Sequence, residues 1–193
     1  MLVIGNGESR ADININNLND LKIGCNAIAR DFWVDHLICV DRRMVDEANN
    51  NYPQNYSKIY TRADWLVGRS HIENLFELPS LPYEGNIRAD EPFHWGSGPY
   101  AVLLGATLSK RVRLLGFDLY SKTKTVNNIY KDTANYDPST KTAIDPRYWI
   151  HQIAKVFECF PNNKFTIYCD YNWDCPKVWN YPNVSLDFIS KLV

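Results

Sequence analysis

Met1-Leu-Val-Ile-Gly-Asn-Gly-Glu-Ser9 opens the chain, and its reading decides the fold. Four apolar residues halted by Gly5-Asn6-Gly7 read as a short strand buried on both faces, as in a covered parallel sheet. Two glycines around an asparagine allow a sharp turn with positive φ and leave no Cβ in a ligand's way. A strand that empties into such a turn aims backbone N–H groups at one point, where a phosphate can settle. The chain therefore begins with an expected nucleotide-binding turn built from Gly5, Asn6, Gly7 and Ser9.

This turn is not a dinucleotide fingerprint. Position 10 is Arg10 rather than a small residue, and Cys25-Asn26 stands where an acidic residue would be expected, about 20 positions on. No Gly-Lys-Ser/Thr occurs, so the Walker lysine is missing as well.

Working outward, apolar runs alternate with helical stretches. Lys22-Ile-Gly-Cys-Asn26 reads as a second strand, Asp35-His-Leu-Ile-Cys-Val-Asp41 as a third and Ser57-Lys-Ile-Tyr-Thr61 as a fourth. Asp41 is placed to cap a helix over residues 42–49. Residues 62–92 are broken by Pro79, Pro82 and Gly85 and read as irregular. Gly96-Ser-Gly-Pro-Tyr100 then opens a nearly all-apolar helix, with Ser97 or Gly98 as its cap and Pro99 in its first turn. Ala101, Gly105 and Ala106 leave room for close approach to a sheet. Arg113-Leu-Leu-Gly-Phe-Asp-Leu-Tyr120 reads as a fifth strand, with Asp118 and Tyr120 at its exit. Residues 121–145 are polar and long enough to be a lid. A helix capped by Asp145 and a sixth strand, Lys164-Phe-Thr-Ile-Tyr-Cys-Asp170, follow, and the aromatic tail is expected to pack onto the domain. This order predicts a single α/β domain over residues 1–193, with a doubly wound, mainly parallel sheet of roughly five to seven strands and helices on both faces, Rossmann-like in plan.

Composition narrows the function. A net charge of −1 and a pI near 6.4 carry no nucleic-acid signature. No apolar run approaches the ~20 residues of a transmembrane helix, and no basic-then-apolar leader is visible. Five cysteines without a CxxC spacing suit reduced thiols, so a cytoplasmic setting is expected and homo-oligomerisation is left open. Ligands of such sheets bind beyond the carboxyl ends of the strands. The residues there are Asn6, Gly7, Ser9, Asn26, Asp41, Gly96, Ser97, Gly98, Asp118, Tyr120 and Asp170, a set rich in amides and hydroxyls. No Asp-x-Asp is present to clamp a metal on a diphosphate, so no metal site is expected.

The Gly5-Asn-Gly-x-Ser9 turn, Cys25-Asn26, Gly96-Ser-Gly98 and Leu115-Gly-Phe-Asp-Leu-Tyr120 occur in an order that resembles the bacterial lipooligosaccharide sialyltransferases and the related motility accessory factor proteins. Lys164-Phe-Thr-Ile-Tyr-Cys169 is similar to a late strand of the same proteins, so the likeness runs to about residue 170. The resemblance implies a CMP-activated sugar lying across the strand ends and metal-free transfer to a glycan or small-molecule hydroxyl acceptor. It matches Asn6 and Asn26 to nucleotide contacts, Ser97 with Gly98 to the sugar's carboxylate, and Tyr120 to a donor on the leaving phosphate. Tyr130, in the lid, is a second tyrosine by type. Asp41 stands where the family carries asparagine, which sets it against a donor's carboxylate. The family's histidine base falls near Arg147, and His151 is the histidine closest to it. His94 is the other candidate base, just ahead of Gly96. No dissociable cofactor is implied, the nucleotide sugar being a substrate. The alternatives are a diphosphate-transferring enzyme like the pterin pyrophosphokinases, which would need Mg²⁺, and a non-catalytic relative. On structural grounds alone, His151 would be a helix histidine and Asp41 a helix cap.

Overall fold

Leu2, Val3 and Ile4 form strand β1 (Leu2–Ile4) and are fully buried. Their side chains alternate between two cores, as the pleat of a strand requires. Val3 joins one apolar cluster, and Leu2 and Ile4 join the other. The computed structural model describes residues 1–82, 95–121 and 123–192. Among these, seven further strands follow: β2 (Lys22–Cys25), β3 (Val34–Ile38), β4 (Tyr56–Thr61), β5 (Leu75–Glu77), β6 (Arg111–Leu115), β7 (Lys164–Cys169) and β8 (Val184–Phe188). They make one sheet in the order β5-β4-β3-β2-β1-β6-β7-β8, parallel throughout. The expected central place of β1 holds.

Four α-helices lie among the described residues: α1 (Arg42–Asn51), α2 (Ala63–Leu66), α3 (Ser97–Leu108) and α4 (Arg147–Cys159). The α3 and α4 residues share the cluster of Val3, while Met44, Val45 and Ala48 of α1 pack with Leu2 and Ile4. Helices therefore lie on both faces, and the fold is doubly wound. Gly105 brings α3 down onto the sheet, since a Cβ there would stand 2.8 Å from Val3 Cγ2. Winding reverses between β1 and β6, so the crevice that accepts ligands in such folds opens at their carboxyl ends.

Several boundaries differ from the sequence reading. The sheet has eight strands, because α2 and β5 lie within residues 62–92 and the aromatic tail contributes β8. Both added strands are sheet edges with half-exposed side chains, such as Phe76 and Leu186, and carry little apolar signal. The fifth expected strand stops early, at Leu115, because Gly116 takes φ 73° and turns the chain back. The third stops at Ile38. Gly96, rather than Ser97 or Gly98, is the N-cap of α3. Asp145 does serve the start of α4, its Oδ1 accepting from the Arg147 N–H at 3.0 Å.

Candidate functional site

The turn after β1 is glycine-rich because the chain itself comes close. A Cβ on Gly5 would lie 2.3 Å from the Gly116 carbonyl oxygen, and one on Gly7 would lie 2.4 Å from Asp118 Cγ. Positive φ is not the reason, since Gly7 has φ −66° and Gly5 is not among the positive-φ residues. The donors of the turn are also taken. Gly7 N–H donates to Gly116 O at 3.0 Å, Glu8 N–H to Asn127 Oδ1 at 2.8 Å, and Ser9 N–H to Asp118 Oδ2 at 2.9 Å. The Ser9 hydroxyl donates to the other Asp118 oxygen at 2.5 Å. In the expected phosphate cradle of Gly5, Gly7 and Ser9, the Gly5 and Gly7 N–H groups thus go to the Leu115 and Gly116 carbonyls and both Ser9 donors to the Asp118 carboxylate.

Beside it, Asn6, Asn26 and Ser97 do come together. Asn6 Nδ2 donates to Cys25 O at 3.1 Å, which ties the β1 exit to the residue before Asn26. Asn26 has φ 50°, the left-handed region that asparagine tolerates better than most residues. Its Oδ1 accepts from the Ser97 hydroxyl at 2.9 Å, and that hydroxyl oxygen accepts from Val40 N–H at 3.2 Å. One serine therefore joins the ends of β2 and β3 to the start of α3. Among the described residues that helix has no side-chain cap hydrogen bond, and its first turn carries no acidic residue, so the positive end of its dipole points to this edge. Gly96 N–H donates to Gln152 Oε1 at 3.2 Å, and a Cβ on Gly96 would stand 3.1 Å from Trp149 Nε1.

Arg10, which the sequence marks only as a break in a dinucleotide pattern, is buried beneath this group at 1% exposure. Its Nε donates to Gly5 O at 2.6 Å, and its Nη2 reaches Asn6 Oδ1 at 3.2 Å and Tyr130 Oη at 3.4 Å. Tyr130 is buried against it, and that burial drives the phenol's pKa far upward, so the group is a neutral hydroxyl. The same holds for Tyr136. Asp41 caps α1 by accepting from Arg43 N–H at 3.1 Å. Partial burial opposes its charge, but the Arg43 side chain and backbone outweigh this and hold the carboxyl below its usual range.

A cleft of about 500 Å³ lies between residues 126–144, the start of α1 and the start of α4, with Arg43, Asn127, Asn128, Tyr136, Ile144 and Trp149 on its walls. Trp149 and Gln152, three positions apart on α4, face the Gly96 turn. His151 does not: it lines a separate groove with Arg147, Ile150, Lys155, Val178 and Tyr181. The expectation that His151 reaches the strand ends is corrected by helix phase, because a two-residue step turns the ring about 200° away. His94 lies outside the described residues. Tyr120 is 40% exposed, and its pKa is raised by burial and by the nearby Cys175 and Asp174. Gly98 meets Phe117, a Cβ there standing 3.4 Å from its ring.

Trp149, Gln152, Tyr136 and Arg10 escape the sequence reading. The 149/152 spacing on one helix face was the available signal for two of them. Among the described residues, no three His, Cys, Asp or Glu side chains are grouped to hold a metal ion, and no helix is long and apolar enough to cross a membrane. No protein-family model, no curated protein and no solved structure matches the chain.

Proposed function

We propose that this protein is a glycosyltransferase-like enzyme that binds a nucleotide-activated sugar at the carboxyl edge of β1, β2 and β3 and passes the glycosyl group to a hydroxyl acceptor without a metal. The observation that carries this reading is the Asn6–Asn26–Ser97 group at the winding reversal, beside the uncapped start of α3. Amide side chains can both donate to and accept from ribose hydroxyls and base edges. The start of a 12-residue helix suits a phosphate through its N–H groups and its dipole. The flanking cleft offers the Trp149 ring, a flat apolar surface with a polar edge, to the sugar or its acceptor.

In this reading the acceptor hydroxyl gives its proton to a base as its oxygen attacks the anomeric carbon. The bond from that carbon to the phosphate oxygen breaks, and the nucleotide leaves with the electron pair. Hydrogen-bond donors aimed at the departing oxygen supply the main stabilisation, each typically contributing about 10²–10³ in rate. With His151 on the far face of α4, His94 is the base to test, followed by Tyr120 as a donor to the leaving group.

A thermal-shift panel of CMP, CDP, UDP, GDP and ATP, each with and without Mg²⁺, tests the ligand class. A nucleotide at 100 times its Kd stabilises the folded chain by about 2.7 kcal/mol, or roughly 5–10 °C for a chain of this size. Asn26→Ala and Ser97→Ala should abolish the shift, and no shift with any nucleotide would reject the reading. A transfer assay with chelator, a nucleotide-sugar panel and mixed acceptors then tests the chemistry. His94→Ala should lose activity and His151→Ala should keep it. Activity that chelator removes and Mg²⁺ restores would point instead to diphosphate transfer.

A further inference from the structure

The segment 126–144 is closed over the candidate site, and one of its side chains occupies donors that a ligand would use. The Tyr136 hydroxyl lies 3.4 Å from Asn6 Nδ2 and 3.4 Å from the backbone nitrogen of Ala27, the residue after left-handed Asn26. Both distances are long for N–H···O bonds, which centre near 2.9–3.0 Å. A negatively charged ligand oxygen would make shorter and stronger bonds to the same two groups. The phenol thus covers these donors while satisfying them weakly.

The ring packs beside Tyr130 with centres 5.6 Å apart, and Arg30 is the residue that ties this segment to the rest of the fold. Arg30 donates through Nε and Nη2 to the two Glu47 oxygens of α1 at 2.6 and 2.9 Å. It also donates to Thr133 Oγ1 and to Ala134 O, both at 2.7 Å. Its guanidinium lies 5.6 Å from the ring centres of both Tyr130 and Tyr136. Asn135 Nδ2 adds a bond to Glu47 Oε2 at 2.7 Å. These contacts tie residues 133–136 to the helix that flanks the cleft.

We propose that residues 133–136 are a self-closing strap: the Tyr136 hydroxyl stands in for a ligand oxygen on Asn6 and Ala27, and the donor is admitted only when the Arg30–Glu47 latch lets the strap lift. This inference concerns regulation of the same site and rests on the nucleotide reading above. A cover that competes with the ligand reduces apparent affinity by the fraction of molecules that are open. Weakening it should therefore tighten binding, the opposite of what loss of a true ligand contact would do.

The experiment uses the full chain, its Tyr136→Phe and Arg30→Gln variants, and CMP as the probe. Amide exchange followed by NMR without ligand reads the strap, and calorimetric titration reads the competition. The expected result has two parts. The Ala27, Thr133 and Tyr136 amides speed up together in Arg30→Gln, and Arg30→Gln binds CMP more tightly, by up to about tenfold if the wild-type strap is open in a tenth of molecules, with Tyr136→Phe tightening binding by less. Amides that respond separately, or an Arg30→Gln variant that binds CMP as the wild type does or more weakly, would overturn the strap. Failure of CMP to bind either protein would sink the nucleotide reading, and the exchange pattern alone would then decide whether the strap exists.

Discussion

Arg10 is the residue on which the site rests. Among the described residues it has no carboxylate partner, and its charge is met by the Gly5 carbonyl, the Asn6 amide oxygen and the Tyr130 hydroxyl. Replacing it with methionine keeps the apolar stem but leaves those acceptors without their donor in a buried setting. Each such loss costs about 1–3 kcal/mol, and no longer having to bury the guanidinium charge offsets part of the total, so Arg10→Met should destabilise the chain by roughly 2–4 kcal/mol in a urea titration. A near-neutral result would show that water can replace the guanidinium. Gly7 makes a second residue-scale case. Gly7→Ala pushes a methyl group against the Asp118 carboxylate, and overpacking of this kind costs about 1–3 kcal/mol. The lost Ser9–Asp118 contacts should appear as faster exchange at the Ser9 amide.

At the scale of elements, helix α3 sets propensity against packing. Gly105→Ala should gain up to about 1 kcal/mol of helix propensity. The new methyl would sit 2.8 Å from Val3 Cγ2 and 3.3 Å from Val112 Cγ1, and relieving that contact costs about 1–3 kcal/mol. The packing loss outweighs the gain, and a lowered Tm is the expected result. The 133–136 strap supplies a pH test through Glu47. Partial burial opposes its charge, but hydrogen bonds from Arg30 and Asn135 outweigh it and hold the carboxyl below the ordinary value of 4.5. A lowered folded-state pKa contributes stability that is complete above the unfolded value and is lost as pH falls through the folded one. The Tm advantage of the wild type over Glu47→Gln should therefore be full near neutrality and fade below about pH 4.5. An advantage that persists undiminished to pH 3 would rule out this role for the carboxylate.

For the whole molecule, β1 and β6 at the centre are flanked by two cores that share the same strands. Neither core can persist without the sheet between them, so unfolding should be a single transition. Tryptophan fluorescence, which reports buried Trp95 and Trp179, and far-UV circular dichroism should give the same midpoint in denaturant. Separate midpoints would mean that one face melts independently.

The sequence by itself determined the layered plan. Met1-Leu-Val-Ile4 and Leu114-Leu115 are apolar on consecutive positions, as a strand covered on both faces requires, and Asp41 and Asp145 mark helix starts by their own chemistry. Asn6, Asn26 and Ser97 were legible for the same reason, because each immediately follows an apolar run or opens a helix. The tertiary structure decided what local pattern cannot encode. Whether Gly7 serves a ligand or Asp118 depends on where Gly116 turns the chain, more than a hundred residues away. Whether His151 or Trp149 faces the crevice depends on the rotation of α4 once Ile153, Val156 and Phe157 are buried. The contact of Arg10 with Tyr130 and that of Tyr136 with Asn6 are likewise long-range. Side-chain direction at such places is fixed by packing between distant segments, and packing has no period in the sequence.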